Sequence, residues 1–489
     1  MKLTILLPSS DYRSSAGARI RYDRVSRELA REGVEVRLEP IAQFDPISAD
    51  CDALLVCKCY DARSIIAAAT LSRRGKIVGV DLFDDYFSQS WDPRLQRYRN
   101  WLASFMRFCD FSVCSTEAMA EVVRAYRLDL PTHVFNDPAQ PHDPASIPGI
   151  VEAKIARARS EGRLCVGWFG TGDNPFFPVG LADLSSFGSS LMELTRSGLD
   201  VRLKVVTNRR ALTTSGINLL SRLPVPVSVH EWSEAEERDL LRDSLLIFLP
   251  VNGQKFSVAK SLNRAFTALS HGCQVLSVGY PLYSVLEPLI YRDPTDFIVD
   301  LARGSLRLSN DTISIYSEKL LALASADVEA RRLARFLTDL EPSSQPPEGV
   351  LAVVHGHSTR PEVHQMARAV NALSVASPFC TARYGFDVIF RRSLEGLEMV
   401  ESDGSKPSVV PDSVKRLKNR LLFPNKERRA DPARAAKFVG QNQPFAAQFA
   451  TYRSTMDEVE KRLTGIFGVT CVIESEVTQL PLQSRTLRS

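Results

Sequence analysis

The sequence predicts an α/β protein with two Rossmann-like domains facing a cleft, followed by a C-terminal α/β accessory region. Three observations carry that expectation. Short apolar runs alternate with amphipathic segments in two successive series, the pattern of parallel βα units. A stretch rich in Pro, Asp and Ser separates the two series, and a second breaker, "EPSSQPPEGV" at 341–350, follows the later one. The expected domains are therefore 1–145, 160–340 and 350–489.

The first series opens with the strand "KLTILLP" and a polar, Gly-containing loop, "SSDYRSSAGA". The helix "RIRYDRVSRELAREG" comes next, with Ile20, Val25 and Leu29 on one face and Gly33 as its stop. Strands are expected at "VEVRLEP", "DALLVCK", "KIVGVDLF", "FSVCS" and "HVFN", with "ARSIIAAATLSRRG" and "TEAMAEVVRAYRL" as helices between them. Residues 136–162 read as an interdomain connection. The second series has strands at "LCVGWFG", "VRLKVVT", "PVSVHEW", "SLLIFLPV" and "CQVLSVG", with "SEAEERDLLRD" as one of its helices.

A chain of 489 residues, 44% hydrophobic and 24% charged, is ordinary globular material with room for several domains. Its 61 Lys and Arg nearly balance 57 Asp and Glu, which excludes a dedicated nucleic-acid binder. Nine scattered cysteines form no disulfide framework, so a reducing, cytoplasmic setting is expected. Cys57 and Cys59 in "VCKCY" read as buried thiols, and no metal is assigned. The apolar part of "MKLTILLPSS" is too short for a signal peptide, and no run reaches the roughly 18 apolar residues of a membrane span.

The segment most suggestive of chemistry is "AKSLNRAFTALSHGCQVLSV", 259–278. A helix beginning near Ser261 turns its unpaired amides and positive dipole end toward the cleft. Lys260 and Arg264 add cationic donors, Ser261 and Asn263 add neutral ones, and Gly272 ends the helix. That set suits a diphosphate; a solvated cap with Ser261 as N-cap is the alternative.

The run from "HEWSEAEERDLLRD" to "CQVLSVG" resembles the donor-binding half of GT-B glycosyltransferases of the family 1/family 4, bacterial surface-polysaccharide type. The resembling features are Trp232, the strand ending at Pro250, the Lys260–Ser261 loop, the helix ending at Gly272, and the strand to Val278. "CVGWFGTGDN", "RRGKIVGVDLFDDYF" and "CDFSVCSTEAMAEVV" resemble further parts of that fold, and the resemblance covers about residues 1–335. It implies transfer of a sugar, with retention, from a nucleotide-diphosphate sugar to a glycan or lipid-linked acceptor in bacterial surface polysaccharide synthesis. The nucleotide sugar is a substrate, and no cofactor is expected.

Stabilising a leaving diphosphate calls for donor contacts from Gly170, Thr171, Arg209, Lys260, Ser261, Asn263 and Arg264, with Gly172 and Arg210 nearby, and the resemblance adds Thr267. Asp81, Asp84 and Asp85 are the candidate catalytic carboxylates on the opposite domain. Gly17 and Arg19, with Arg21, are candidate contacts to the acceptor or to a phosphate. The family's paired glutamates, eight residues apart, fall near Ala259 and at Thr267, and neither is acidic here. Two further readings stay open: a GT-B nucleotide-sugar epimerase, and a catalytically silent module that binds sugar nucleotide or a partner.

Two features of the last region stand apart. His355, His357 and His364 cluster in "VVHGHSTRPEVH" without a spacing that completes a zinc site. The stretch 413–437 holds nine Lys or Arg against two acids, which suits peripheral contact with acidic lipid at the inner membrane face or a solvated helix.

Overall fold

The computed structural model describes residues 1–342 except 47, 61, 90 and 91, and five short strands at Ala352–Val353, Thr381–Tyr384, Val388–Ser393, Gly396–Met399 and Cys471–Val472. The histidine cluster and the basic stretch lie outside the described residues, as does most of the expected accessory region.

The first sheet contains β1 (Lys2–Leu7), β2 (Glu35–Pro40), β3 (Ala53–Cys57), β4 (Ile77–Leu82), β5 (Phe111–Cys114) and β6 (Thr132–Val134). All are parallel, in the order β2-β1-β3-β4-β5-β6, with Leu3 opposite both Val36 and Ala53. β3 and β4 are buried along their whole length, so they read as continuous apolar runs without an in/out alternation. On one face lie α3 (Ala62–Arg73), α4 (Gln96–Phe105) and α5 (Glu117–Tyr126), whose Trp101, Phe105 and Val123 join Leu54 and Val78 in one core. On the other, α1 (Ala16–Ala18) passes through a π turn at Arg19–Asp23 into α2 (Arg24–Arg31), where Val25 and Leu29 meet Leu3 and Ile5.

The second sheet contains β7 (Arg163–Gly170), β8 (Asp200–Thr207), β9 (Val227–Glu231), β10 (Leu246–Phe248) and β11 (Gln274–Leu276), again parallel, in the order β11-β10-β7-β8-β9. Its helices are α6 (Ile147–Glu161), α7 (Leu181–Ser186), α8 (Gly188–Leu194), α9 (Thr214–Leu220), α10 (Glu234–Asp243), α11 (Lys255–Val258), α12 (Asn263–Ser270), α13 (Pro294–Arg303) and α14 (Ile313–Ala324). They cover the sheet around one core that includes Trp168, Leu203, Phe248 and Phe266. The Ser233 hydroxyl caps α10, accepting from the Glu236 amide at 3.1 Å.

Two elements depart from the sequence reading. The charged part of the supposed connection is α6, a component of the second domain. Its buried Lys154 donates to the carbonyls of Leu241 (2.6 Å) and His271 (2.8 Å) and to Cys273 Sγ (3.0 Å), tying together the C-terminal ends of α10 and α12. The chain then crosses back: α15 (Ala326–Thr338) leaves the second domain and buries Ala330, Leu333, Ala334 and Leu337 in the core of the first. The crossing comes at Ser325, well before the expected boundary at 340. Buried Glu329 holds it there, accepting from the Asn136 amide and Nδ2, each at 3.0 Å.

Candidate functional site

Strand order reverses between β1 and β3 in the first sheet and between β7 and β10 in the second. Such switch points open a crevice at the carboxyl ends of the strands. Here both crevices contribute to one cleft of about 2020 Å³, lined by residues of the two domains.

On the second domain, β7 ends at Gly170, whose φ of 148° lies in the region favouring glycine; a Cβ there would sit 3.1 Å from Arg264 Nη1. The loop that follows is fixed from behind. The Thr207 hydroxyl donates to the Gly170 carbonyl (3.0 Å), and the Gly172 amide to Asn208 Oδ1 (2.8 Å). Asp173 takes Asn208 Nδ2 (2.8 Å) and Arg210 Nε (2.7 Å), so Arg210 is committed to holding the loop. Arg209 and Arg264 also line the cleft, and neither guanidinium has an ion-pair partner among the described residues. α12 starts at Asn263 behind Leu262, which supplies no side-chain cap, and Thr267 lines the cleft one turn on. Two cations, a glycine loop and an open helix start thus converge at the second sheet's switch point, an arrangement suited to phosphate.

The residues just before α12 do something else. Sequence reading makes Lys260, Ser261 and Asn263 phosphate donors, but each is engaged by the first domain. The Lys260 ammonium donates to Asp84 Oδ1, the Ser261 hydroxyl to Asp137 Oδ2 (2.5 Å), and Arg24 Nη1 to Asn263 Oδ1 (3.3 Å). The Thr116 hydroxyl donates to the Ala259 carbonyl at 3.1 Å. Segment 259–263 is therefore an interdomain strap; Leu262 holds the N-cap position, and the Ser261 hydroxyl is turned to Asp137.

The acidic cluster separates into three different environments. Asp81 is fully buried, accepting from Arg21 Nε (2.8 Å), Arg21 Nη2 (2.7 Å) and the Tyr22 hydroxyl (2.5 Å), so it has no access to a substrate. Asp85 is spent on its own loop, accepting the amides of Phe87 (3.0 Å) and Ser88 (2.9 Å) and the Ser88 hydroxyl. Asp84 alone lines the cleft, clamped between Lys260 and Lys58, whose Nζ donates to Oδ2 at 2.5 Å. Burial alone would push the Asp84 carboxyl up, but the two ammonium groups outweigh it and hold the group well below the usual carboxylate range. Lys260 moves the other way from a typical paired lysine: burial pushes it down, and Asp84 offsets that only in part. A carboxylate so saturated is a poor proton acceptor, so Asp84 is badly suited to act as a base, and of the three aspartates it alone borders the cleft.

Gly17 packs against Tyr12, whose hydroxyl would meet an added Cβ at 2.4 Å. Arg19 does face the cleft, paired with Glu234 of the second domain and lying 5.2 Å over the Trp232 ring, while Trp232 Nε1 donates to Glu237 Oε2 at 2.6 Å. Arg21 is buried with Asp81 and Asp137. Sequence reasoning missed Lys58, Arg24 and Asp137. Lys58 carried a usable signal, since it directly follows β3 at the switch point; its φ of 54° makes it the one non-glycine residue with positive φ among those described.

No family model matches the chain, and no curated protein does. Solved structures similar to it include Anabaena Alr3699/HepE in complex with UDP and glucose, at 12% identity and a TM-score of 0.48, covering 70% of this chain and 100% of that one. The UDP-forming α,α-trehalose-phosphate synthase of Burkholderia xenovorans in complex with glucose-6-phosphate is similar at 12% identity and a TM-score of 0.41, over 61% of this chain and 75% of that one. The N-terminal domain of Candida albicans trehalose-6-phosphate phosphatase is similar at 11% identity and a TM-score of 0.42, over 69% and 96%. Among the described residues, no helix is long and apolar enough to cross a membrane.

Proposed function

We propose that this chain is a glycosyltransferase that moves a hexosyl group from a nucleotide-diphosphate sugar to a glycan or lipid-linked acceptor, with retention, in surface polysaccharide assembly. The observation that carries the donor half is Arg264 beside the Gly170 turn, with Arg209 lining the same cleft and neither guanidinium in an ion pair among the described residues. Cations beside a glycine turn and a helix start are what a departing diphosphate requires as its bond to the anomeric carbon breaks. Trp232, held by Glu237, provides a ring at the same side of the cleft for a nucleobase. Because Asp84 is saturated, the acceptor's proton passes to the leaving diphosphate as the new bond to the acceptor oxygen forms. That route needs no protein base and suits the retaining outcome.

Calorimetry with UDP, GDP and TDP tests the donor site. One nucleotide should bind, and Arg264→Ala should weaken it by about 1.5 to 3 kcal/mol, or roughly ten- to a hundredfold, with folding stability nearly unchanged. Equal affinity in the variant would show that the phosphates lie elsewhere. The second reading, a silent sugar-nucleotide module, is favoured by Thr267 standing where the family carries an acid; tight binding of a nucleotide sugar with no transfer or hydrolysis would select it.

A further inference from the structure

The cleft wall beyond Lys260 is aromatic, and both domains build it. Tyr86, after β4, and Tyr98, on α4, stack with ring centroids 5.1 Å apart and planes 24° from parallel. Phe176, from the loop after β7, meets both edge-on at 5.8 Å. Buried Phe177 and Phe256 stack behind them at 4.4 Å. The loop is pinned from two sides: Asn174 Nδ2 donates to the Tyr86 hydroxyl (3.2 Å) and its Oδ1 accepts the Phe176 amide (2.9 Å), while Arg94 donates to the carbonyls of Pro175 (3.2 Å) and Phe176 (3.1 Å). Tyr86, Tyr98 and Phe176 are half-buried and line the cleft, so this rigid surface keeps an open side.

We propose that this wall is the acceptor subsite and that it takes a pyranose ring, an inference resting on the glycosyltransferase reading above. A site for one small ligand spans roughly 300 to 1,000 Å³. The cleft's 2020 Å³ therefore has room for a second substrate beside the nucleotide sugar. The chemistry of the wall names its class. Aromatic rings receive the axial C–H face of a sugar, and two groups bordering them on the cleft keep capacity beyond the bond they share: the Tyr86 hydroxyl, which accepts from Asn174 and still has its own proton to donate, and Asn174 Nδ2, with a second N–H for an equatorial hydroxyl. An isoprenoid chain would cover the rings but leave that remaining hydrogen-bonding capacity unmet.

The test uses the full chain and methyl β-D-glucopyranoside, whose two faces are both apolar, in saturation-transfer NMR with and without UDP, while calorimetry follows UDP separately. Wild type should bind the glucoside, Tyr98→Ala should weaken it by about tenfold or more, Tyr98→Trp should restore it, and UDP affinity should stay within about threefold throughout. Glucoside binding unchanged in both Tyr98→Ala and Phe176→Ala, or absent in wild type, overturns the subsite. So does a parallel loss of UDP affinity in the alanine variants, which would make the cluster cement between domains. Failure of UDP to bind wild type counts against the donor reading instead, and the glucoside arm still decides the subsite.

Discussion

Asp84 accepts two ammonium groups at once, and that position governs what its substitution does. Asp84→Asn leaves Lys58 and Lys260 facing each other without their shared counter-charge. The loss should be about 2 to 4 kcal/mol, below that of a wholly buried pair because the Lys260 side chain is 35% exposed. The sign of the pH dependence follows from the depressed carboxyl: its contribution is complete above the unfolded value near 4 and is lost as pH falls through the folded value. Denaturant unfolding of both proteins should give a stability gap that is level from pH 7 to about pH 5 and narrows only in stronger acid. A gap already closing at pH 6 would contradict the clamp. That these two lysines meet on Asp84 was not legible in the sequence. A β4 strand buried on both faces gives no alternation from which to orient Asp81, and the partners Lys58 and Lys260 come from 26 and 176 residues away.

At the scale of single elements, the turn after β7 decides how closely a ligand can approach the backbone. Gly170→Ala forces a side chain onto a φ of 148° and toward Arg264, so it should cost about 1 to 3 kcal/mol of stability and weaken nucleotide binding through the displaced guanidinium. Calorimetry showing full affinity in a destabilised variant would separate the turn from the site. The strands were readable because parallel βα units write themselves as apolar runs bounded by turns, and Gly272, at φ 64°, ends α12 as its position in the sequence implies. The start of α12 was misjudged by two residues. Ser261 has the composition of a cap, but Leu262 takes the N-cap position and the Ser261 hydroxyl donates to Asp137, 124 positions earlier, a partner no local pattern announces.

For the molecule as a whole, the return of α15 makes the first domain depend on residues near the end of the described core. A chain ending after Ser343 should stay soluble and keep its nucleotide affinity. One ending after Ser325 uncovers Leu3, Ile5 and Phe111 where Ala330, Leu333 and Leu337 had lain, and should aggregate. Solubility and light scattering of the two truncations distinguish the cases; a soluble shorter chain would mean that α15 is dispensable to the fold. The outgoing and returning crossings also touch: the Ala139 amide donates to the Ala324 carbonyl at 2.8 Å, a few residues from where Glu329 holds Asn136. Two chain segments bound side by side make a doubled bridge on one side of the cleft, and the strap at 259–263 ties the lobes again beside it. A nick in one crossing would therefore leave the lobes joined by the other and by that strap, with the facing walls still held in register.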